Sequence, residues 1–212
     1  MLVFEKANLL PVVNGAVSGV SIVADSLWSS SKEPCLVYVV RRPGCVLCRE
    51  EAKGLATRHA AGEYNGAKLF AVIKEVAPVS GAATDAELGV GEFQSKYFPH
   101  PVYLDKDLKF YEHLGKKSLL TQLSPWNIYS WNPVRLYSDF VALGQRMKDK
   151  GLEGNLKGEG FVQGGVLVLA PAAAKGELGS GLVAYQHNEQ TGADLPYADI
   201  KAAVDKAVQA RG

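Results

Sequence analysis

Apolar residues along this chain fall into two kinds of run, and the two kinds alternate. Cys35–Val40 (CLVYVV) is continuous and rich in β-branched residues, as expected of a central strand buried on both faces. Past the break at Pro43-Gly44 the spacing becomes helical. Cys48, Ala52, Leu55, Ala56 and His59 predict the inward face of a helix running from about Cys45 to His59. A second strand is expected at Ala67–Ile73, a loop of small residues over Ala77–Gly91, and a short helix at Glu92–Tyr97. The turn Pro99-His100-Pro101 leads into a third strand, Val102–Leu104, followed by a short helix or turn over Asp105–Leu114. Val166–Ala170 and Leu182–His187 read as an antiparallel pair, and Tyr197–Ala210 as a closing amphipathic helix. Upstream, Asn14-Gly15 marks the turn of a hairpin over Asn8–Ser21.

Residues Gly115–Gly151 stand outside this plan and read as an insertion. Its second half, Val134–Lys148, carries a helical stripe of Leu136, Tyr137, Phe140, Val141 and Met147. No internal repeat or low-complexity tract interrupts the chain, so residues 1–212 are expected to form a single α/β domain containing the helical insertion 115–151.

Composition narrows the function classes. Of 212 residues 47% are hydrophobic, enough for a full core, and 23 Lys and Arg against 22 Asp and Glu leave a net charge of +1. That balance creates no broad field for a polyanion, so no nucleic-acid partner is expected. Glu5 and Lys6 interrupt the apolar N-terminal stretch, which argues against a signal peptide. No run reaches the roughly 18 apolar residues of a membrane helix. The three cysteines, at 35, 45 and 48, do not make the disulfide framework of a secreted protein. A reducing compartment fits them: the cytoplasm, or an organelle if a transit peptide has been removed.

Two cysteines are spaced C-x-x-C directly after the strand and turn. With Cys45 at the first turn of a helix, the unsatisfied N–H groups and the positive dipole end favour its thiolate. Arg41, Arg42 and Arg49 add positive charge, and Cys48 at i+3 can donate its S–H to the Cys45 sulfur. An exposed, partly ionised Cys45 that attacks and a buried Cys48 that resolves the product are the expected division of labour. Two inert buried cysteines, or a zinc site, are the competing readings; the second lacks another C-x-x-C or an H-x₃₋₅-H pair. Cys35, opening a buried strand, is expected to be inert core. His59, His100, His113 and His187 are expected to be structural or surface residues, with His187, at a strand end, worth testing for proximity to the thiols. Strand, turn, C-x-x-C and helix in this order are the plan of the thioredoxin-like fold, here with an N-terminal hairpin and a helical insertion before the last two strands.

RRPGCVLCREEA (Arg41–Ala52) closely resembles the signature of the peroxiredoxin-like 2 family, a thioredoxin-like group with selenoprotein U and prostamide/prostaglandin F synthase-like members. GNLKGEGFVQGGVLVLA (Gly154–Ala170) resembles that family's glycine-rich lead into its penultimate strand. Weaker similarity runs through DSLW (Asp25–Trp28), YLDKDLKFYEHLG (Tyr103–Gly115) and HNEQTGAD (His187–Asp194). The resemblance implies thiol-dependent redox chemistry, with the position matching Cys45 as the reactive one, and two-electron reduction of an O–O bond. Two departures stand out. The P-x-x-x-T-x-x-C pattern of typical peroxiredoxins is absent in either frame: counted from Cys45 its places hold Tyr38 and Arg42, and from Cys48 they hold Arg41 and Cys45. Where thioredoxins place a proline before the penultimate strand, this chain has Gln163-Gly164-Gly165, whose glycines would let backbone approach a substrate sulfur or oxygen.

Other features carry less chemistry. The run Gly154–Gly165 fails as a nucleotide loop, because Gln163 stands where the third glycine belongs and a strand follows. Trp126, Tyr129, Trp131, Tyr137 and Phe140 would either wall a lipid-like substrate or pack the insertion onto the domain. Lys116-Lys117 reads as solvated surface. The expected function is a thiol-dependent oxidoreductase acting on a peroxide, endoperoxide or disulfide. Cys45 and Cys48 are the catalytic pair, Arg42 and Arg49 stabilise the thiolate and the leaving group, and Gly164 and Gly165 offer backbone to the substrate. No cofactor or metal is expected; a thiol donor such as thioredoxin or glutathione would return the electrons. The alternative is a redox-sensing or binding module that switches partner affinity without turnover.

Overall fold

Asn14 and Gly15, at φ 51° and 79°, turn β1 (Asn8–Val13) back onto β2 (Ala16–Val17), the paired positive angles that a two-residue hairpin turn requires. The computed structural model describes residues 4–64, 66–76, 89–116, 141, 144–145, 148–155, 157–171, 182–189 and 193–210. β3 (Ile22–Val23) pairs with the start of β1. The continuous apolar run becomes β4 (Cys35–Val39), buried along its whole length. Alternation explains why it has no polar face: Leu36 and Tyr38 enter the core on one side of the sheet, while Cys35, Val37 and Val39 enter the core on the other.

Helix α1 (Val46–Ala60) follows, with Cys45 as its N-cap in extended backbone (φ −74°, ψ 127°). Next come β5 (Lys68–Ile73), the short α2 (Val90–Glu92) running into a π-turn at Phe93–Tyr97, and β6 (Val102–Leu104). α3 (Lys109–His113) is started by Asp105, whose Oδ2 accepts the Phe110 N–H at 2.9 Å. β7 (Gly165–Leu169), β8 (Val183–Asn188) and α4 (Tyr197–Gln209) close the described chain. The expected loop over 77–91 and the insertion stripe lie almost wholly outside the described residues, as do all five aromatics from Trp126 to Phe140.

The strand order is β2-β1-β6-β5-β4-β7-β8. β4 is central, parallel to β5 and antiparallel to β7. This is a mixed α/β sheet of the thioredoxin-like kind. α1 and α4 cover one face through Cys48, Ala52, Leu55, Ile200 and Val204, packed on Leu36 and Tyr38. Phe4, Phe110, Tyr111 and Leu167 fill the other. Tyr111 donates its hydroxyl to the Val40 carbonyl at 2.7 Å, pinning the end of β4 just before the C-x-x-C turn. Among the described residues no helix is long and apolar enough to cross a membrane.

One departure concerns α1. Its buried face holds Cys48, Ala52, Leu55 and Ala56 as expected, but also Arg49 and Glu51. His59 is only half-buried and bonds the Ala67 carbonyl through Nε2 at 2.7 Å.

β7 and β8 meet where a side chain would not fit. A Cβ built on Gly165 would land against the His187 carbonyl oxygen and within 3.3 Å of the Asn188 Cα, backbone that cannot swing aside. Gly165→Ala is therefore expected to lower unfolding free energy by about 1–3 kcal/mol, the usual cost of overpacking, read as a reduced midpoint in chemical denaturation.

Candidate active site

The end of β4 and the start of α1 bring Arg41, Arg42, Cys45 and Cys48 together over five residues of turn and one turn of helix. Both cysteines are free thiols. Cys48 is fully buried against Tyr38, and Cys45 retains only 6% of its surface. An exposed Cys45 was the expectation, so this is a correction. Its cause is a strap, described over residues 152–155 and 157–164, that returns over the turn from far along the chain. Gly154 rests on Val46 and the Gly44 carbonyl, Asn155 donates its N–H to Gly44 O at 2.7 Å, and a Cβ on Gly44 would collide with the Asn155 side chain. Both neighbours of Cys45 are thereby roofed.

The sulfur of Cys45 receives a hydrogen bond from Arg41 Nη2 at 3.0 Å. Its pKa falls to about 5. The largest cause is the Cys48 S–H, which donates to it; burial opposes, and the charge of Arg41, the Cys48 backbone N–H and the charge of Arg42 add to the lowering. Cys48 moves the other way. Its proton is held by Cys45, and burial and the Cys45 charge raise it well above the ordinary thiol range. Cys35 sits alone on the opposite face, lifted to about 11 chiefly by burial.

Arg41 is itself held. Its Nε donates to Glu189 Oε1 at 2.8 Å, and Glu189 Oε2 accepts the Gly164 N–H at 3.1 Å. The Glu189 N–H in turn donates to the Gly164 carbonyl at 3.0 Å. This corrects the expectation for Gly164 and Gly165. Their backbone is not presented to a substrate: Gly164 is occupied by Glu189, and Gly165 lies in the β4–β7–β8 ladder. The missing side chains let Glu189 and the strands close up.

Arg42 and Arg49 part company. Arg42 is buried beside the thiolate, and its Nε finds no hydrogen-bond partner among the described residues. Arg49, expected to stabilise the thiolate, serves elsewhere. Its Nε donates to the Pro43 carbonyl at 3.0 Å, Nη1 donates to the Glu153 carbonyl, and Nη2 pairs with Glu92 at 2.8 Å. It clamps turn, strap and α2 together. His187, on β8, makes no hydrogen bond to either thiol among the described residues.

Reading the sequence overlooked two carboxylates. Glu189 lies within the quoted stretch HNEQTGAD but offers no local sign of its pairing with a residue 148 positions away. Glu51 had a signal: it lies three residues after Cys48, on the inward face of the same helix.

The family model described as AhpC/TSA antioxidant enzyme matches residues 55–191, a span that begins after both cysteines. Peroxiredoxin-like 2A of Xenopus tropicalis is 32% identical over 190 residues, covering 88% of this chain and 68% of that protein. Peroxiredoxin-like 2A of Bos taurus is 33% identical over 157 residues, covering 72% of this chain but 59% of the relative's length. Prostamide/prostaglandin F synthase of Bos taurus is 30% identical over 165 residues, covering 77% of this chain and 72% of that protein. In fold, the chain is similar to the mitochondrial 2-Cys peroxiredoxin of Plasmodium falciparum, with TM-score 0.51 at 9% identity over 99% of this chain and 95% of the other. AhpC of Enterococcus faecalis gives TM-score 0.50 at 10% identity over 98% and 93%.

The Arg41 bond is the contact to test. Arg41→Met should raise the Cys45 pKa by about 1–3 units, the usual effect of losing an adjacent opposite charge. The check is the ultraviolet absorbance of the thiolate as a function of pH, which needs no reagent access. The unmodified chain should show a step near pH 5.

Proposed function

The chain belongs to the peroxiredoxin-like 2 family, and on that premise we propose that it is a thiol-dependent oxidoreductase whose Cys45–Cys48 dithiol reduces a peroxide, endoperoxide or disulfide. The observation that carries this reading is the 3.0 Å bond from Arg41 to the Cys45 sulfur, together with a thiol pKa near 5. At neutral pH Cys45 is then a thiolate, the nucleophilic form.

With a peroxide, the Cys45 sulfur attacks one oxygen, the O–O bond breaks, and the leaving oxygen departs with the electron pair and takes a proton from water. Cys45 becomes a sulfenic acid. Cys48 then forms the S–S bond, the S–O bond breaks, and water leaves. A thiol donor, one thioredoxin-type dithiol or two glutathione-type thiols, reduces the disulfide and is itself oxidised to a disulfide, which resets the pair. Arg42 supports the first step. Its buried, unpaired Nε is a donor waiting for an acceptor, and charge developing on the leaving oxygen would supply one. Likeness to prostamide/prostaglandin F synthase supports including a lipid-like endoperoxide among the substrates.

The roof over Cys45 favours a second reading. A cysteine with only 6% of its surface exposed suits a sensor that is oxidised by a small molecule and hands the signal to a partner.

Turnover separates the two. With hydrogen peroxide, thioredoxin, thioredoxin reductase and NADPH, catalytic amounts of the chain should sustain NADPH consumption by the reductase over many cycles. Cys45→Ser should fall to background, and Cys48→Ser should be oxidised once and recycle poorly. One oxidation per chain without cycling would leave the sensor; full activity in Cys45→Ser would sink both.

A further inference from the structure

A second buried acid lies beside the dithiol, and its surroundings differ from those of Glu189. Glu51 keeps 9% of its surface, and among the described residues no cation forms an ion pair with it. Among the described residues its hydrogen-bond partner is Tyr38, whose hydroxyl stands 2.7 Å from Glu51 Oε2 and 3.1 Å from the Cys48 carbonyl. One hydroxyl proton faces two acceptors. With Glu51 ionised, Tyr38 donates to the carboxylate. With Glu51 protonated, the acid donates to the Tyr38 oxygen and Tyr38 donates to Cys48 O. Both protonation states are therefore hydrogen-bonded, and the carboxyl can change state without stranding a polar group.

Glu51 also borders a cavity of about 850 Å³ between α1 and the start of α4, lined by Leu47, Glu50, Thr57, Leu195 and Tyr197 among others. Neither cysteine lines it. On α1, residues three apart share a face; the Tyr38 hydroxyl stands within hydrogen-bond distance of both the Glu51 carboxyl and the Cys48 carbonyl, and the Glu51 charge is felt at the Cys48 thiol.

Resting on the dithiol reading above, the geometry points to Glu51 as the group that takes the proton of Cys48 when that thiol attacks Cys45, and to the cavity as the route by which this proton exchanges with solvent. In the step, the Cys48 S–H bond breaks and its proton passes to the Glu51 carboxylate. The Cys48 sulfur forms the S–S bond with Cys45, and the bond from Cys45 to its oxygen or foreign sulfur breaks. The leaving atom departs with the electron pair and is protonated by water. Glu189 cannot serve, because Arg41 and the Gly164 N–H hold its carboxylate.

Other charges face Glu51 and set when it acts. Burial raises it to about 8, the Glu189 and Cys45 charges push the same way, and the Tyr38 bond and Arg41 pull down. Tyr197 of α4 stands near, and Lys150, paired with Glu50, and Asp194 sit across the cavity. Oxidation removes the negative charge of Cys45. Glu51 then becomes more acidic, releases its proton to the cavity and turns into a base at the moment Cys48 needs one.

Stopped-flow reaction with 4,4′-dithiodipyridine resolves the two attacks, because each releases one thiopyridone. The first release reports Cys45, and the second reports resolution by Cys48. In the unmodified chain the second release should rise with pH through a midpoint at or below about 8. Glu51→Gln should slow it about 100-fold, at the lower end of general-base contributions, and move its midpoint up into the thiol range. The first release should change less than about twofold, and Glu51→Asp should restore most of the rate. Gln keeps a hydrogen bond to Tyr38 and removes a carboxylate whose ionisation burdens the fold, so the variant is expected to fold. If it does not, the pH profile of the unmodified chain decides, and a second release rising only in the thiol range overturns the proposal. An unchanged second release in Glu51→Gln, or equal slowing of both releases, overturns it too. A missing first release in the unmodified chain sinks the dithiol reading instead.

Discussion

A guanidinium taken out of water has to be met by negative charge and hydrogen-bond acceptors, and Arg41 shows how much that requirement organises. Isolated, a buried charge costs several kcal/mol or more. Arg41 is met on one side by Glu189 and on the other by the Cys45 sulfur. Removing either would leave an uncompensated charge in the interior. The thiolate is thus part of what satisfies the cation, and Cys45 is held ionised by the same bonds that hold the fold together there.

Charge counting extends this to the neighbours. Arg41 and Arg42 supply two cations near the dithiol, and Cys45 and Glu189 supply two anions. Glu51, without an ion pair among the described residues, is raised by burial to about 8. These five ionisable groups, drawn from the turn after β4, from α1 and its N-cap, and from the residue after β8, therefore behave as one unit. Titrations of single variants should be read with that coupling in mind.

The strap adds a steric condition to the electrostatic one. Arg49, Asn155 and Gly154 tie it to the turn at Pro43, Gly44 and Val46. Water is largely excluded from the sulfur, which strengthens the Arg41 bond and narrows entry.

Local pattern alone determined the order of elements, the central strand, the helix carrying the two cysteines and the sense of the Cys45 pKa shift. Each follows from residues near one another in sequence: the unbroken run CLVYVV, the i+4 and i+7 spacing after Cys48, and arginines within a turn of the thiol. The tertiary structure decided which arginine reaches the sulfur, and it chose Arg41 over Arg49. It also buried Cys45 beneath a strap more than 100 residues downstream in sequence. Spacing could not show this, because a guanidinium goes where its whole set of acceptors lies. For Arg41 and Arg49 those acceptors, Glu189 and the Glu153 carbonyl, arrive only when distant strands and the strap close on the turn.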